Sequence, residues 1–121
     1  MKHAELTEKI IGIFYDVYNE LGGGFLESVY ENALCIALRE AGLTCDQQTL
    51  IEVTFRGKLV GDFRADLIVE NTVLLELKAV RAIDDPHIAQ TLNYLKATRI
   101  EVGLILNFGP KPKIKRLVLD Q

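Results

Sequence analysis

Long apolar runs are missing from this chain. No stretch of its 121 residues approaches the roughly 18 to 20 uninterrupted apolar residues that a membrane-spanning helix needs, so no membrane partner is expected. The start, Met1-Lys2-His3-Ala4-Glu5, leads straight into an amphipathic pattern. It lacks a signal-peptide apolar core and cleavage site, which predicts a cytoplasmic location. Cysteine is scarce. Cys35 falls in a helical apolar run and Cys45 in the expected loop after it, without the paired spacing of a zinc site or a disulfide framework. In a reducing compartment both read as structural thiols. Histidine is equally scarce. His3 and His87 have no ligand-like spacing, and neither makes a convincing general base or zinc ligand. Positive charge is not in excess: the formal net charge is -3 and the isoelectric point is near 5.4. That argues against coating nucleic acid by bulk electrostatics, but not against an enzyme that touches a few phosphates. Repeats, low-complexity segments and linkers are also missing, and one domain over 1–121 is expected.

What is present is a well-patterned chain. In residues 5–21, Ile10, Phe14, Val17 and Leu21 recur at helical spacing, with Thr7 as a plausible early cap and Gly22-Gly23-Gly24 as the stop. A second helix is expected over 26–41, closed by Gly42. Residues 48–56 alternate as a strand, 59–69 form a second strand with a bulge near Gly61, and 73–80 form a third that is apolar enough to be central. These three form an antiparallel meander. Asp84-Asp85-Pro86 starts a third helix that runs to about Ala97. Residues 101–107 and 113–119 are two further strands, the last at an edge. The order is ααβββαββ.

Within this pattern the hairpin 62–80 carries a conflict. Glu76 and Lys78 lie inside a strand otherwise made of Val73, Leu74, Leu75, Leu77, Ala79 and Val80, and buried charges are costly unless partnered. The period of two puts Glu76 and Lys78 on one face. Pairing across the Glu70-Asn71-Thr72 turn sets Asp66 opposite Glu76, with Cβ atoms roughly 4.5 to 5.5 Å apart. Two facing carboxylates repel unless a divalent cation sits between them, and few hard oxygen ligands suit Mg²⁺. Lys78 would then reach a water or a phosphate oxygen. The plainer reading is a carboxylate–Lys78 ion pair. Glu27 suits the start of a helix electrostatically, or is a further acid aimed at the same cation. Tyr30, three residues on, is core or orients Glu27. Gln90 and Tyr94 share a helix face and are either a polar flank or the border of the cleft. Lys111, Lys113, Lys115 and Arg116 either contact phosphates or form a solvated edge.

Taken together, these residues resemble the PD-(D/E)xK nuclease superfamily. More narrowly, GFLESVY, with Gly24, Glu27 and Tyr30 in place, resembles the signature of the GxxExxY protein family, as do FRADLIV, LLELKAV, QTLNYLKAT and VGLILNFG in their order. The resemblance spans about Ile10 to Val118. One departure is Ala65 where the motif has proline. The resemblance implies an α/β (α+β-like) fold with a restriction-endonuclease-like core, a mixed central sheet flanked by helices. It implies Mg²⁺ (or Mn²⁺) ligated by Asp66, Glu76, the Leu77 carbonyl and Glu27, with Lys78 as the catalytic lysine and Gln90 and Tyr94 as a QxxxY element. The function expected is a Mg²⁺-dependent phosphodiesterase, a DNA nuclease. The alternative is a non-catalytic nucleic-acid- or protein-binding module that keeps the fold. DNA is the expected partner, with RNA, a homodimer or a partner protein left open.

Overall fold

A computed structural model describes residues 2–121. Among them the chain forms α1 (Ala4–Leu21), α2 (Glu27–Glu40), β1 (Cys45–Phe55), β2 (Lys58–Val69), β3 (Val73–Lys78), α3 (Asp85–Thr98), β4 (Val102–Phe108) and β5 (Pro112–Val118). This is the expected ααβββαββ order. The strands make one sheet in the order β1-β2-β3-β4-β5. β1/β2, β2/β3 and β4/β5 are antiparallel, and β3/β4 are parallel. α3 supplies the crossover that a parallel pair requires. The sheet is therefore mixed, with β3 at its centre and β5 at an edge.

Helices cover both faces. Ile10, Phe14 and Val17 of α1 and Tyr30, Leu34 and Leu38 of α2 pack with Leu67, Val69, Leu75, Leu77, Leu104 and Leu106. On the other face Tyr94 and Leu95 of α3 pack with Ile51, Ala65, Leu74, Ile105 and Leu117. A β3 buried on both sides explains its near-continuous apolar sequence. Gly103 lets α3 come close: a Cβ there would lie 3.2 Å from Leu95 and 3.3 Å from Thr91.

Local chemistry sets most boundaries. Gly22 ends α1 at φ 71° and donates its N–H to the Tyr18 carbonyl. Asp84 caps α3 by accepting from the His87 N–H, with Pro86 in the first turn. The β1/β2 register shifts between Val53 and Thr54, opposite Gly61, which is the expected bulge.

Three expectations are corrected. Thr7 is not the cap of α1. His3 holds that position, while Thr7 is buried and its Oγ1 donates to the His3 and Ala4 carbonyls. Cys45 is not in a loop: β1 begins there, because polar Asp46 and Gln47 ladder with Ile68 and Leu67. β3 stops at Lys78 rather than Val80, since the Val80 N–H and carbonyl are taken by the Asn107 side chain at 3.0 and 2.9 Å.

Candidate active site

The site is a fork in the sheet. β2 and β3 pair at Val69↔Val73, Ile68↔Leu74 and Leu67↔Leu75, and the ladder ends there. β3 continues along β4 through Lys78↔Asn107, while β2 continues along β1. The register would set Asp66 against Glu76 at the next rung, as the sequence predicts. At that point the side chains do the bridging. The Asp66 backbone N–H donates to Glu76 Oε2 at 2.9 Å, and the Leu77 backbone N–H donates to Asp66 Oδ2 at 2.8 Å. Each carboxylate thus satisfies an amide that a continuing sheet would have satisfied with a carbonyl.

β2 also changes face here. Leu67 and Val69 lie in the core under α1 and α2, whereas Ala65 lies in the core under α3. Across from Asp66, between the rungs Gln47↔Leu67 and Thr49↔Ala65, Gln48 has φ 51°. A left-handed backbone is unusual for a residue with a long side chain and marks local strain. Its outcome is specific: Gln48 Nε2 donates to Glu31 Oε1 at 2.7 Å and to Asp66 Oδ1 at 3.3 Å.

The electrostatics follow from burial. Glu76 is 3% exposed, and its carboxyl is pushed up to about 8, first by burial and then by the charge of Asp66. Burial also raises Asp66, against the Leu77 N–H, the Gln48 amide and the positive charge of Lys78. Lys78 is half-buried and its Nζ meets Gln90 Oε1 at 3.3 Å. Among the described residues the ion pairs within 4.0 Å are Lys2–Glu101, Lys2–Asp120 and His87–Asp84. A direct carboxylate–Lys78 pair, the plainer reading of the hairpin, does not form. Nor does any hydrogen bond among the described residues reach Glu76 Oε1.

The other expected residues divide. Gln90 and Tyr94 both border the fork from α3. Tyr94 is 7% exposed, its ring lies 5.4 Å from Phe63, and burial followed by the charges of Glu76 and Asp66 raises its hydroxyl. Glu27 is exposed on the first turn of α2, and the charge it acts on is that of Glu31. Tyr30 does not orient Glu27. Its hydroxyl donates to the Gly22 carbonyl at 2.6 Å and accepts from the Phe25 N–H at 3.1 Å, and its ring stacks on Phe108 at 4.3 Å. Leu77 buries its side chain with α1 and α2 and gives its N–H to Asp66. Lys111, Lys113 and Lys115 are exposed at or near β5, two strands away from β3, and Arg116 turns its Nη2 to the Lys2 carbonyl.

No pattern in the sequence singles out Gln47 and Gln48, and Glu31 carries only a weak one. Glu31 accepts from both glutamines, at 3.0 and 2.7 Å. Burial raises its carboxyl, helped by the charges of Asp66 and Glu27. The available signal was its position one helical turn after Glu27, on the same face.

Among the described residues no three His, Cys, Asp or Glu side chains lie close enough together to hold a metal ion. Glu27, expected from the resemblance beside Asp66 and Glu76, does not form such a group of three with them. Two carboxylates do meet. Their chemistry still fits a hard cation such as Mg²⁺, which takes one or two protein carboxylates and completes its shell with water and substrate oxygens.

Beside the fork, at the carboxyl ends of β3 and β4, lies a cleft of about 550 Å³ between the 23–25, 79–81 and 108–110 segments. No helix among the described residues is long and apolar enough to cross a membrane.

Comparison with curated protein sequences finds no match. Among solved structures, the protein SSO0001 is similar, with a TM-score of 0.60 and 20% identity over 77% of this chain. At that identity the likeness speaks to the fold. The chain spans 50% of that protein's length. A family profile described as the PD-(D/E)XK nuclease superfamily matches residues 4–117. With its mixed five-stranded sheet and the Asp66/Glu76/Lys78 fork, the chain belongs to the PD-(D/E)XK nuclease superfamily.

Proposed function

We propose that this chain is a Mg²⁺- or Mn²⁺-dependent phosphodiesterase acting on DNA, and that within the superfamily it is a GxxExxY protein. The observation that carries this reading is Glu76: a carboxyl 3% exposed, facing a second carboxyl, with no cation among the described residues within ion-pair distance. Such an arrangement costs stability and is best accounted for by a ligand that is itself a cation.

In this reading Asp66 and Glu76 hold the ion, with the Leu77 carbonyl as a further oxygen. The bound cation would supply a Lewis acid that lowers the pKa of water and offsets charge on the phosphoryl group. The chain's own groups do the rest. The Asp66 and Leu77 amides hold the two carboxylates at fixed orientations across the fork. Gln90 steadies Lys78 so that its ammonium faces the phosphate oxygen on which charge grows. Tyr94 closes the α3 side and limits water. Glu31, tied to Asp66 through Gln48, adds negative charge that draws a cation toward the fork, with Glu27 behind it.

The test is cleavage of single- and double-stranded DNA by purified protein with and without Mg²⁺ or Mn²⁺. Metal-dependent cleavage that disappears in Asp66→Ala is expected. Absence of cleavage with either ion refutes the enzyme reading. One observation favours the non-catalytic alternative, a nucleic-acid- or protein-binding module: among the described residues no third acidic side chain joins Asp66 and Glu76. Cation binding by calorimetry without any cleavage is its expected signature.

A further inference from the structure

We infer that the cleft at the carboxyl ends of β3 and β4 holds one unstacked nucleobase of an unpaired nucleic-acid strand, with the base on Phe25 and the neighbouring phosphate on Arg81. This rests on the nuclease reading above and adds a substrate class to it.

The cleft measures about 550 Å³, within the range of small-ligand sites. Gly24, Phe25, Val80, Arg81, Phe108 and Gly109 are among its walls. Three side chains tie those walls together. Tyr30 clamps the Gly22 carbonyl and the Phe25 N–H. The Tyr18 hydroxyl bonds the Gly109 and Pro110 carbonyls at 2.8 and 3.0 Å. Asn107 takes both backbone groups of Val80. Gly109 lets the last two walls touch, since a Cβ there would lie 2.1 Å from the Val80 carbonyl oxygen. The result is a concave surface that is formed before any ligand arrives, which lowers the ordering cost of binding.

Its chemistry is an aromatic platform beside a free cation. Phe25 is 48% exposed, yet its backbone is fixed by Tyr30 and its ring meets the Tyr30 ring edge-on at 6.0 Å and 75°. Arg81 is exposed and makes no hydrogen bond or ion pair among the described residues. An apolar ring paired with a guanidinium suits a base and its phosphate, as in proteins that bind single strands. A base inside a duplex presents no open face for stacking. Its wall residues Ala79 and Val80 follow Lys78 directly in the chain, so a base seated there brings its backbone toward the fork.

The experiment is fluorescence anisotropy of labelled oligothymidylate, oligouridylate and a DNA duplex of equal length, all in chelator. Wild type is expected to bind at least one single strand more tightly than the duplex. Phe25→Ala should weaken that binding about 5- to 100-fold and Phe25→Tyr should restore it. Arg81→Ala should lower the salt dependence by about one phosphate contact. Leu26→Ala, 77% exposed and outside the cleft, should bind as wild type does. The inference is overturned if neither single strand binds, if Phe25→Ala binds like wild type with an unchanged melting curve, or if the duplex loses as much as the single strands. Because no metal is present, single-strand binding that depends on Phe25 would survive a failure of the nuclease reading. Cleavage of single strands that is indifferent to Phe25→Ala would remove the base site and leave the nuclease.

Discussion

Asp66 and Glu76 face each other across the point where β2 and β3 part, and the Asp66 backbone N–H donates to Glu76 Oε2 at 2.9 Å. One carboxyl thus holds the strand that carries the other. The pair is a fixed part of the sheet and not a chance encounter of flexible side chains, and its cost is written into the stability of the protein.

That cost depends on pH. Glu76 is raised from 4.5 to about 8 by burial and by Asp66, so between those values the folded protein keeps a proton that the unfolded chain has released. The sign follows from linkage: stability is full below about 4.5 and falls as pH rises toward 8, by at most about 1.4 kcal/mol per pH unit. Metal-free protein should therefore melt at lower temperature at pH 8 than at pH 5. Glu76→Gln should flatten that dependence and melt above wild type at pH 8. A flat wild-type profile from calorimetric melting would contradict the assignment.

Lys78 makes no ion pair with the carboxylates, and its ammonium rests on Gln90 at 3.3 Å. Lys78→Ala should leave the melting temperature nearly unchanged, because no buried partner is orphaned. Metal-dependent cleavage should fall by about 10²-fold or more, the usual loss when a charge aimed at the transition state is removed. Calorimetry should still detect cation binding. A variant that loses stability as well would point to a structural role instead.

Gln48 combines a left-handed backbone at φ 51° with an amide shared by Glu31 and Asp66. Glycine suits that backbone but has no amide. Gln48→Gly should melt no lower than wild type, while Mg²⁺ or Mn²⁺ affinity measured by calorimetry drops about tenfold or more, as it does when a group that orients a ligand is lost. Lower stability with unchanged affinity would mean that the amide serves only the fold.

Tyr30 is fully buried, with two hydrogen bonds to the glycine-rich loop. Tyr30→Phe leaves the Gly22 carbonyl and the Phe25 N–H without that partner, at a cost of about 1–3 kcal/mol in chemical denaturation. Amide exchange of the 22–25 segment should accelerate. The aromatic stack on Phe108 survives the change, so α2 itself should stay protected.

Much of this molecule was legible in the sequence because its signals are local. Helical periodicity, Gly22, the Asp84-Asp85-Pro86 start and the bulge near Gly61 act within a few residues of where they are written. The facing of Asp66 and Glu76 was also readable, since a short turn and a period of two leave one register for a hairpin. The family resemblance rested on the same residues.

Only the tertiary structure decided which groups share the site. Gln48 reaches Asp66 because β1 pairs with β2, and Glu31 reaches Gln48 because α2 packs over that pair. Both contacts join different elements, 18 and 17 residues apart, and the left-handed backbone of Gln48 interrupts the alternation that periodicity would follow. Packing also decided Tyr30, for which the sequence left core packing and the orientation of Glu27 both open, and which packs in the core with its hydroxyl tying a loop. Lys78 shows the limit most simply. Its position on the strand follows from the sequence, but whether its ammonium meets a carboxylate or Gln90 depends on α3, and only packing places α3. Residue order determines secondary structure and hairpin register through short-range sterics and hydrogen bonding, whereas the partners of a long side chain are chosen by the packing of distant elements.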